Sequence, residues 1–513
     1  MKLARTQNTI RNTMWGAVYR MVTLLGPFVV KTILTKKLGL EYAGLNGLFT
    51  SILTVLNLAN LGFSSALVFT MYKAVVDDNK DALCAMMNFF RKVYRIVGFA
   101  ILGIGLCIMP FLDKLIKSDC PADINIYYLF GIYLFETCLG YLMFAYTLAV
   151  FSAYQRTDVS LKIDTVRYII QYALQAAVLL IFKNYYIYAL MLPLMVIPNN
   201  IANYVISRRM YPDIKCKGLL DSETKKGIYN RVWTLFGHKV GSTVLTNISN
   251  ITISAFLGLT VMSRYNNYYY ILTAVNGLTE IITNGSLAGI GNKLITDSKE
   301  ENYSLFKTLN YGWITLISAA ACCMLCFYQP FISAVWFEPS YLLDDEIMWV
   351  IVAFFFSWMF RIMQLTYRDA AGLWTKDWLK PYVGAAVNLI GSITLVKLTG
   401  SIIGVLLPTI FVFLFIYFPW EAWAIFKYQF GCSLKEYFIK VGYFVVVSLA
   451  ACSASYGLCM LITPENSILS LVIRVVIVGI TFPTIWLLFT FKTFEFKNLI
   501  SFIKRHFLKI PSK

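Results

Sequence analysis

The stretch Asn12 to Leu34, NTMWGAVYRMVTLLGPFVVKTIL, is apolar over a membrane-crossing length and yet holds Arg20 and Lys31 well inside it. About 20 predominantly apolar residues are what a helix needs to cross the hydrocarbon core, so this run reads as a transmembrane helix. The two cations stand 11 residues apart, close to three helical turns, so they project within about 20° of each other and about 16 Å apart along the axis. They share one face. A cation near mid-bilayer costs roughly 2.5 to 3.5 kcal/mol even on mild insertion scales and therefore normally faces a bundle interior or a water-filled cavity. The pair marks a functional face. Its structural alternative is a Lys31 that snorkels to an interface, with Arg20 alone truly intramembrane.

The whole chain agrees with that reading. At 58% hydrophobic, 16% aromatic and 14% charged residues, it is excluded from the soluble globular class and reads as an all-α polytopic membrane protein. The polar Met1 to Arg11 leads into a run too long for the apolar core of a signal peptide, with no small-residue cleavage site behind it, so the first span is expected to stay. Apolar windows give about fourteen transmembrane helices, at 12–34, 44–70, 95–116, 124–150, 159–182, 185–207, 230–257, 265–291, 305–328, 346–367, 379–397, 401–426, 437–462 and 467–491.

An even count puts both termini on one side. Placing that side in the cytoplasm leaves only Lys36, Lys37, Lys114, Lys117, Lys183, Arg264 and Lys397 in loops on the opposite face, out of 45 lysines and arginines. This is a strong positive-inside bias, and it predicts cytoplasmic termini. It also accounts for the net charge of +18 without nucleic acid, because the basic segments 208–231 and 492–513 are juxtamembrane and attract anionic headgroups. The eleven cysteines mostly lie in apolar runs and behave as small hydrophobes. No spacing resembles a zinc site and the only histidines are His238 and His506, so no metal and no cofactor is expected.

The sequence repeats itself. Leu38-Gly39-Leu40 recurs as Leu257-Gly258-Leu259, and Ile52-Leu53-Thr54-Val55-Leu56-Asn57 recurs as Ile271-Leu272-Thr273-Ala274-Val275-Asn276, both at a shift of 219 residues. The same shift carries Arg20 onto Lys239 and Asn57 onto Asn276. Six spans per copy is an even number, so both copies enter the membrane in the same sense, as a parallel repeat. The expected organisation is an N-terminal six-helix lobe at 1–219, a C-terminal six-helix lobe at 220–430, and two additional helices with a basic cytoplasmic tail at 431–513.

Polar residues inside the spans fall on single helical faces. Span 5 carries Asp164, Arg167, Gln171 and Gln175, with the acid and the arginine spaced to pair locally. Span 7 carries Lys239, Thr243, Thr246, Asn250 and Ser254; span 8 carries Thr273, Asn276, Glu280 and Asn284; span 10 carries Ser357, Arg361, Gln364 and Arg368; span 2 carries Asn46, Thr50, Asn57 and Asn60. Hydroxyls and amides alone often signal interhelical packing, whereas cations on spans 1, 5, 7 and 10 point to a wet cavity. The intramembrane carboxylates Glu280, Asp164 and Glu136 are the candidates for ion coupling.

The run Leu38 to Glu41, Gly44-Leu45-Asn46, Leu48 to Leu53 and Leu61-Gly62-Phe63 resembles the second-helix signature of Wzx-type bacterial polysaccharide flippases. So do Asn266 to Leu272, Ala288 to Asn292, and Arg361 with Tyr367 to Trp374 and Asp377. These flippases belong to the multidrug, oligosaccharidyl-lipid and polysaccharide exporter superfamily, and the resemblance covers most of residues 5–430. It implies a MATE-like transporter, not an enzyme, that rocks between inward- and outward-open states around a cationic cavity. The implied substrate is an O-antigen or capsule repeat unit on polyprenyl pyrophosphate, moved from the inner to the outer leaflet of the bacterial cytoplasmic membrane. Membrane lipids and the polysaccharide polymerase machinery are the implied partners. The chain is neutral at Asn60 and at Ser249 or Asn250, where such relatives often carry acids.

A pyrophosphate suits these residues, since arginine presents a fork of donors matched to phosphate oxygens. The expected substrate contacts are Arg20, Lys31, Lys239, Arg167, Arg361, Asn57, Asn276 and Gln364, with the amphipathic rings of Tyr19 and Tyr268 suited to sugars. A cation-coupled multidrug exporter of the same architecture is the rival reading, but its cavity should be acidic. A membrane glycosyltransferase or polymerase is a third; the acids around Glu338 to Glu346 have no partner histidine or metal motif to support it.

Overall fold

The computed structural model describes residues 5–57, 63–117, 120–462 and 468–506, and within them the regular structure is all helical, with no strand. The helices are α1 (Arg5–Lys37), α2 (Leu40–Leu56), α3 (Phe63–Val76), α4 (Lys80–Ile108), α5 (Ile126–Leu142), α6 (Leu148–Ala153), α7 (Thr157–Ile181), α8 (Tyr185–Met210), α9 (Ser222–Leu257) and α10 (Leu259–Thr296). They continue as α11 (Lys299–Pro330), α12 (Asp345–Phe360), α13 (Ile362–Ala370), α14 (Lys380–Thr399), α15 (Ile402–Phe411), α16 (Phe418–Ile425), α17 (Leu434–Ile462), α18 (Ile468–Thr490) and α19 (Phe494–His506). The chain packs as two compact units, Met1–Ser263 and Arg264–Lys513.

All fourteen apolar windows are largely helical over their described residues. By length and composition, nine helices among the described residues qualify as membrane spans, or ten when α5 and the segment Ala145–Ala153, inclined by 47°, count as one. The difference has a physical source. α2 has only 17 residues, and α7, α9 and α10 are long enough but have their apolar runs diluted by the polar faces described above.

The repeat reappears in the backbone. Gly39, between α1 and α2, has φ 120° and ψ 175°, and Gly258, between α9 and α10, has φ 98° and ψ 169°. That region of backbone space is open essentially to glycine alone. The Gly39 N–H donates to the Thr35 carbonyl at 3.1 Å and the Gly258 N–H to the Ser254 carbonyl at 3.2 Å, so the bonding partners also obey the 219-residue shift. In the first unit the two corners meet: Thr260 Oγ1 donates to Glu41 Oε1 at 3.4 Å, and these residues are themselves 219 apart. Gly44 makes the approach possible, because a Cβ there would lie 2.5 Å from the Leu259 carbonyl oxygen. Asn250 Nδ2 then donates to Ser51 Oγ at 3.0 Å, tying α9 to α2.

Elsewhere in the first unit α1 lies along α7. Gly26 admits the Tyr172 ring, which a Cβ would meet at 2.0 Å. Asn12 fastens the helix end by donating to the Gln155 carbonyl at 3.1 Å and accepting from the Asp158 N–H at 2.8 Å. In the second unit α11 is the hub. It starts on a capping box formed by Ser298 and Glu301. Its Trp313 Nε1 donates to the Met359 carbonyl at 2.8 Å, Tyr311 Oη to Thr490 Oγ1 at 2.8 Å, and Ser318 meets Ser448 at 2.6 Å. These bonds join α12, α18 and α17 to one helix, in a setting where unpaired polar groups are costly.

Gly258→Ala should lower the stability of the purified protein by about 1 to 3 kcal/mol, because alanine is forced into a glycine-only conformation. Gly103→Ala, where a Cβ meets nothing within 4 Å, should not. Thermal unfolding in detergent compares the two.

Candidate functional site: the intramembrane charges

The first unit leaves its best-placed cation at a surface. Arg20 is exposed on α1, Lys31 on the same helix is partly buried, and Tyr19 beside Arg20 packs edge-on against Tyr168 with centroids 5.9 Å apart. Tyr168 stacks on Tyr172 at 5.5 Å, and the Arg167 guanidinium lies 4.4 Å over the Tyr168 ring. Tyr19, Arg167 and Tyr168 therefore belong to one aromatic and cationic patch on the α1–α7 pair, and Arg20 follows Tyr19 on α1. The local ion pair expected on span 5 does not form: Asp164 Oδ1 instead accepts from Asn199 Nδ2 of α8 at 3.0 Å. The arginine has turned onto a ring, where a cation gains from the π face without giving up its charge. Glu136 on α5 is half-buried and accepts from Thr137 Oγ1 at 3.4 Å. Asn57 caps α2 with its backbone N–H on the Leu53 carbonyl, and Asn60 lies outside the described residues.

Lys239 lies on α9, and its side chain is outside the described ones. On α10, Asn276 Nδ2 donates to Glu280 Oε1 at 3.2 Å, and Glu280 is exposed. Tyr268 is fully buried: its hydroxyl donates to Gln329 Oε1 at 2.5 Å and accepts from the Leu343 N–H at 3.1 Å. Gln364 is buried against the Tyr437 hydroxyl. The polar groups of both are engaged by protein partners.

Arg361 is held by partners within the protein. It sits at the break between α12 and α13 and its Nη2 lies 2.8 Å from Glu421 Oε1 on α16. Lys380 Nζ, at the start of α14, is 2.6 Å from the same oxygen and 2.6 Å from Asp377 Oδ2. Arg368 reaches Asp377 at 2.6 Å and Asp369 at 2.6 Å, and Trp374 Nε1 donates to Asp369 at 3.0 Å. Tyr417 covers the cluster, its ring 4.8 Å from the Arg361 guanidinium and 5.2 Å from Lys380 Nζ. Three cations and three carboxylates thus close on themselves in a largely buried cluster, where removing Glu421 takes away the carboxylate that faces Arg361. Glu421 is held between two π-helical segments, 412–417 and 426–430, whose extra residue per turn is a common device for aiming a side chain. Sequence pattern points to Arg361, Arg368 and Asp377 but not to Glu421 or Lys380, whose only signal is a lone acid inside the apolar window 401–426 and a lysine opening the window 379–397. Among the described residues no group of histidine, cysteine and acidic side chains is placed to hold a metal ion.

Glu421→Ala should cost about 3 to 5 kcal/mol, the range for breaking a buried pair and leaving charge uncompensated. The measurement is the unfolding midpoint of the purified protein, and Glu280→Ala, on an exposed side chain, should shift it far less.

No protein-family model matches the sequence, and no curated protein matches it either. Solved structures do match. The chain is similar to the lipid II flippase MurJ in an inward closed conformation, with a TM-score of 0.63 at 13% identity over 96% of this chain and 100% of that one. It is similar to an inward-facing multidrug resistance transporter of the MATE family and MOP superfamily, at a TM-score of 0.56 and 11% identity over 78% of this chain and 94% of the other. A MOP superfamily transporter from Pyrococcus furiosus, described as having a binding pocket of reverse polarity, matches at a TM-score of 0.53 and 11% identity over 82% and 95%. At these identities the likeness is one of fold: the chain has the all-helical fold of MurJ and the MATE transporters.

Proposed function

We propose that the chain is a transporter of the multidrug, oligosaccharidyl-lipid and polysaccharide exporter type that flips polyprenyl-pyrophosphate-linked oligosaccharide units. In this reading it works by alternating access in a bacterial cytoplasmic membrane, with both termini in the cytoplasm, and supplies cell-surface polysaccharide synthesis. The observation that carries the proposal is the exposed Arg20 deep in a membrane-length helix beside Tyr19 and the Arg167–Tyr168 pair. Lipid is a poor neighbour for such a cation, whereas a pyrophosphate gives it a bidentate partner and the rings give sugars an amphipathic surface. The fold shared with MurJ, described as a lipid II flippase, supports a lipid-linked substrate.

The same fold is shared with multidrug transporters, so the fold does not separate the two readings. The positive charge of the patch favours the lipid-linked anion, since cationic drugs would be repelled by it. In the proposal Lys31 and Lys239 add positive charge, Asn57 and Asn276 line the path, and Glu280, Asp164 and Glu136 are the carboxylates available for ion coupling. Arg361 has its charge compensated by Glu421 and serves the second unit's architecture instead.

Arg20→Ala should abolish or severely reduce polysaccharide export at unchanged membrane levels of the protein. Loss of a desolvated phosphate contact costs about 2 to 3 kcal/mol, roughly 30- to 150-fold in affinity. Arg20→Lys should be partly active, because a point charge cannot reproduce the fork. Full export by the alanine variant would return Arg20 to a structural role.

A further inference from the structure

A separate site lies in the second unit, where α11, α17 and α19 enclose a cavity of about 140 Å³. That is room for a group of roughly ten non-hydrogen atoms. Its polar lining is Lys307 and Asn310 from α11, Glu436 and Lys440 from α17, and Glu495 from α19, with Tyr303 as an aromatic wall. Two cations and two carboxylates make the lining electrically balanced, so it favours neither a plain anion nor a plain cation.

The groups are incompletely satisfied. Lys307 Nζ lies over the rings of Tyr303 and Phe494, at 4.5 and 4.8 Å, and has no carboxylate partner among the described residues. Glu495 is buried and its Oε2 meets Lys440 Nζ only at 3.4 Å, long beside the 2.7 to 2.9 Å or so of a good charge-assisted bond. Asn310, 3% exposed, has a carboxamide oxygen with no hydrogen-bond partner. Two acceptors await a donor, and a lysine awaits an anion. A buried amide oxygen left in that state normally costs about 1 to 3 kcal/mol.

The position of the cavity selects the occupant. α11 has 32 residues, about 48 Å, against a hydrocarbon core of about 30 Å. Its charges end at Lys307, and residues 311–330 carry none; on α17 they end at Lys440, and residues 441–462 carry none. The cavity therefore sits at the polar boundary of two spans, beneath the amphipathic α19, at the level of lipid headgroups.

We propose that this cavity binds the headgroup of a phosphatidylethanolamine molecule from the surrounding leaflet. The primary ammonium donates to Glu495 and the Asn310 oxygen, and the phosphate takes Lys307 and Lys440. A choline headgroup cannot donate hydrogen bonds, and a glycerol headgroup brings no cation for the carboxylates. The site is independent of the transported substrate.

The test uses the full chain purified in detergent, titrated with phosphatidylethanolamine, phosphatidylcholine, phosphatidylglycerol or soluble glycerophosphoethanolamine. Lipid retention is read by native mass spectrometry and stability by the unfolding midpoint. The ethanolamine lipid should bind saturably at one tight site, at least fivefold more tightly than either other lipid, and raise the midpoint. Lys307→Ala and Glu495→Gln should each weaken that binding at least tenfold. Should Glu495→Gln fail to fold, the partly exposed Lys307 still decides the matter. Equal retention of choline and ethanolamine lipids, or unchanged binding in Lys307→Ala, would overturn the proposal. Equal binding of the soluble ester would overturn the assignment to a membrane lipid.

Discussion

Hydrocarbon does not solvate charge, and this chain places many charged residues on helices built for hydrocarbon. The second unit answers by neutralisation: Arg361, Arg368 and Lys380 are closed against Glu421, Asp377 and Asp369, with Tyr417 laid over them. Such an assembly is a weak source of net stability, because desolvating its members offsets most of the attraction. It is strongly directional, however. It ties the break after α12, the start of α14 and the π-flanked α16 to one point, and no apolar cluster would specify that register as tightly. The first unit answers differently, by leaving Arg20 at a surface and laying Arg167 on a ring.

The helix corners impose a second constraint. At Gly39 and Gly258 the chain turns from one long helix into the next with a dihedral pair that a side chain forbids. Both glycines bond back to residues that correspond under the same 219-residue shift, and Thr260 touches its own counterpart Glu41. The glycine of Leu-Gly-Leu recurs in the two copies at the position where the backbone requires it. The Gly44 approach to the Leu259 carbonyl adds a steric reason for a small residue one turn into α2.

Much of the fold was legible in the residues, because membrane-length apolar windows and a period-3.6 polar face are local properties. The helical character of all fourteen windows and the 219-residue repeat came from such signals. The site was legible only in part. Sequence spacing placed Arg20, Lys31 and Tyr19 on one helix and Asp164 beside Arg167, but partner choice is a tertiary property. Asp164 found Asn199 across a helix pair, and Tyr268 went inward to Gln329. The acid that pairs with Arg361 is 60 residues away, at Glu421, and no periodic pattern connects them. What sequence did offer, a solitary charge in an apolar run, says that a partner exists without saying which.

The most direct measurement is transport by the purified protein in proteoliposomes, offered either a fluorescent polyprenyl-pyrophosphate oligosaccharide or a cationic dye. The account predicts that the lipid-linked sugar crosses between leaflets far faster than in protein-free vesicles, while the dye is not moved under any imposed cation gradient. Gradient-driven movement of the dye, with the lipid-linked sugar left in its original leaflet, would contradict it.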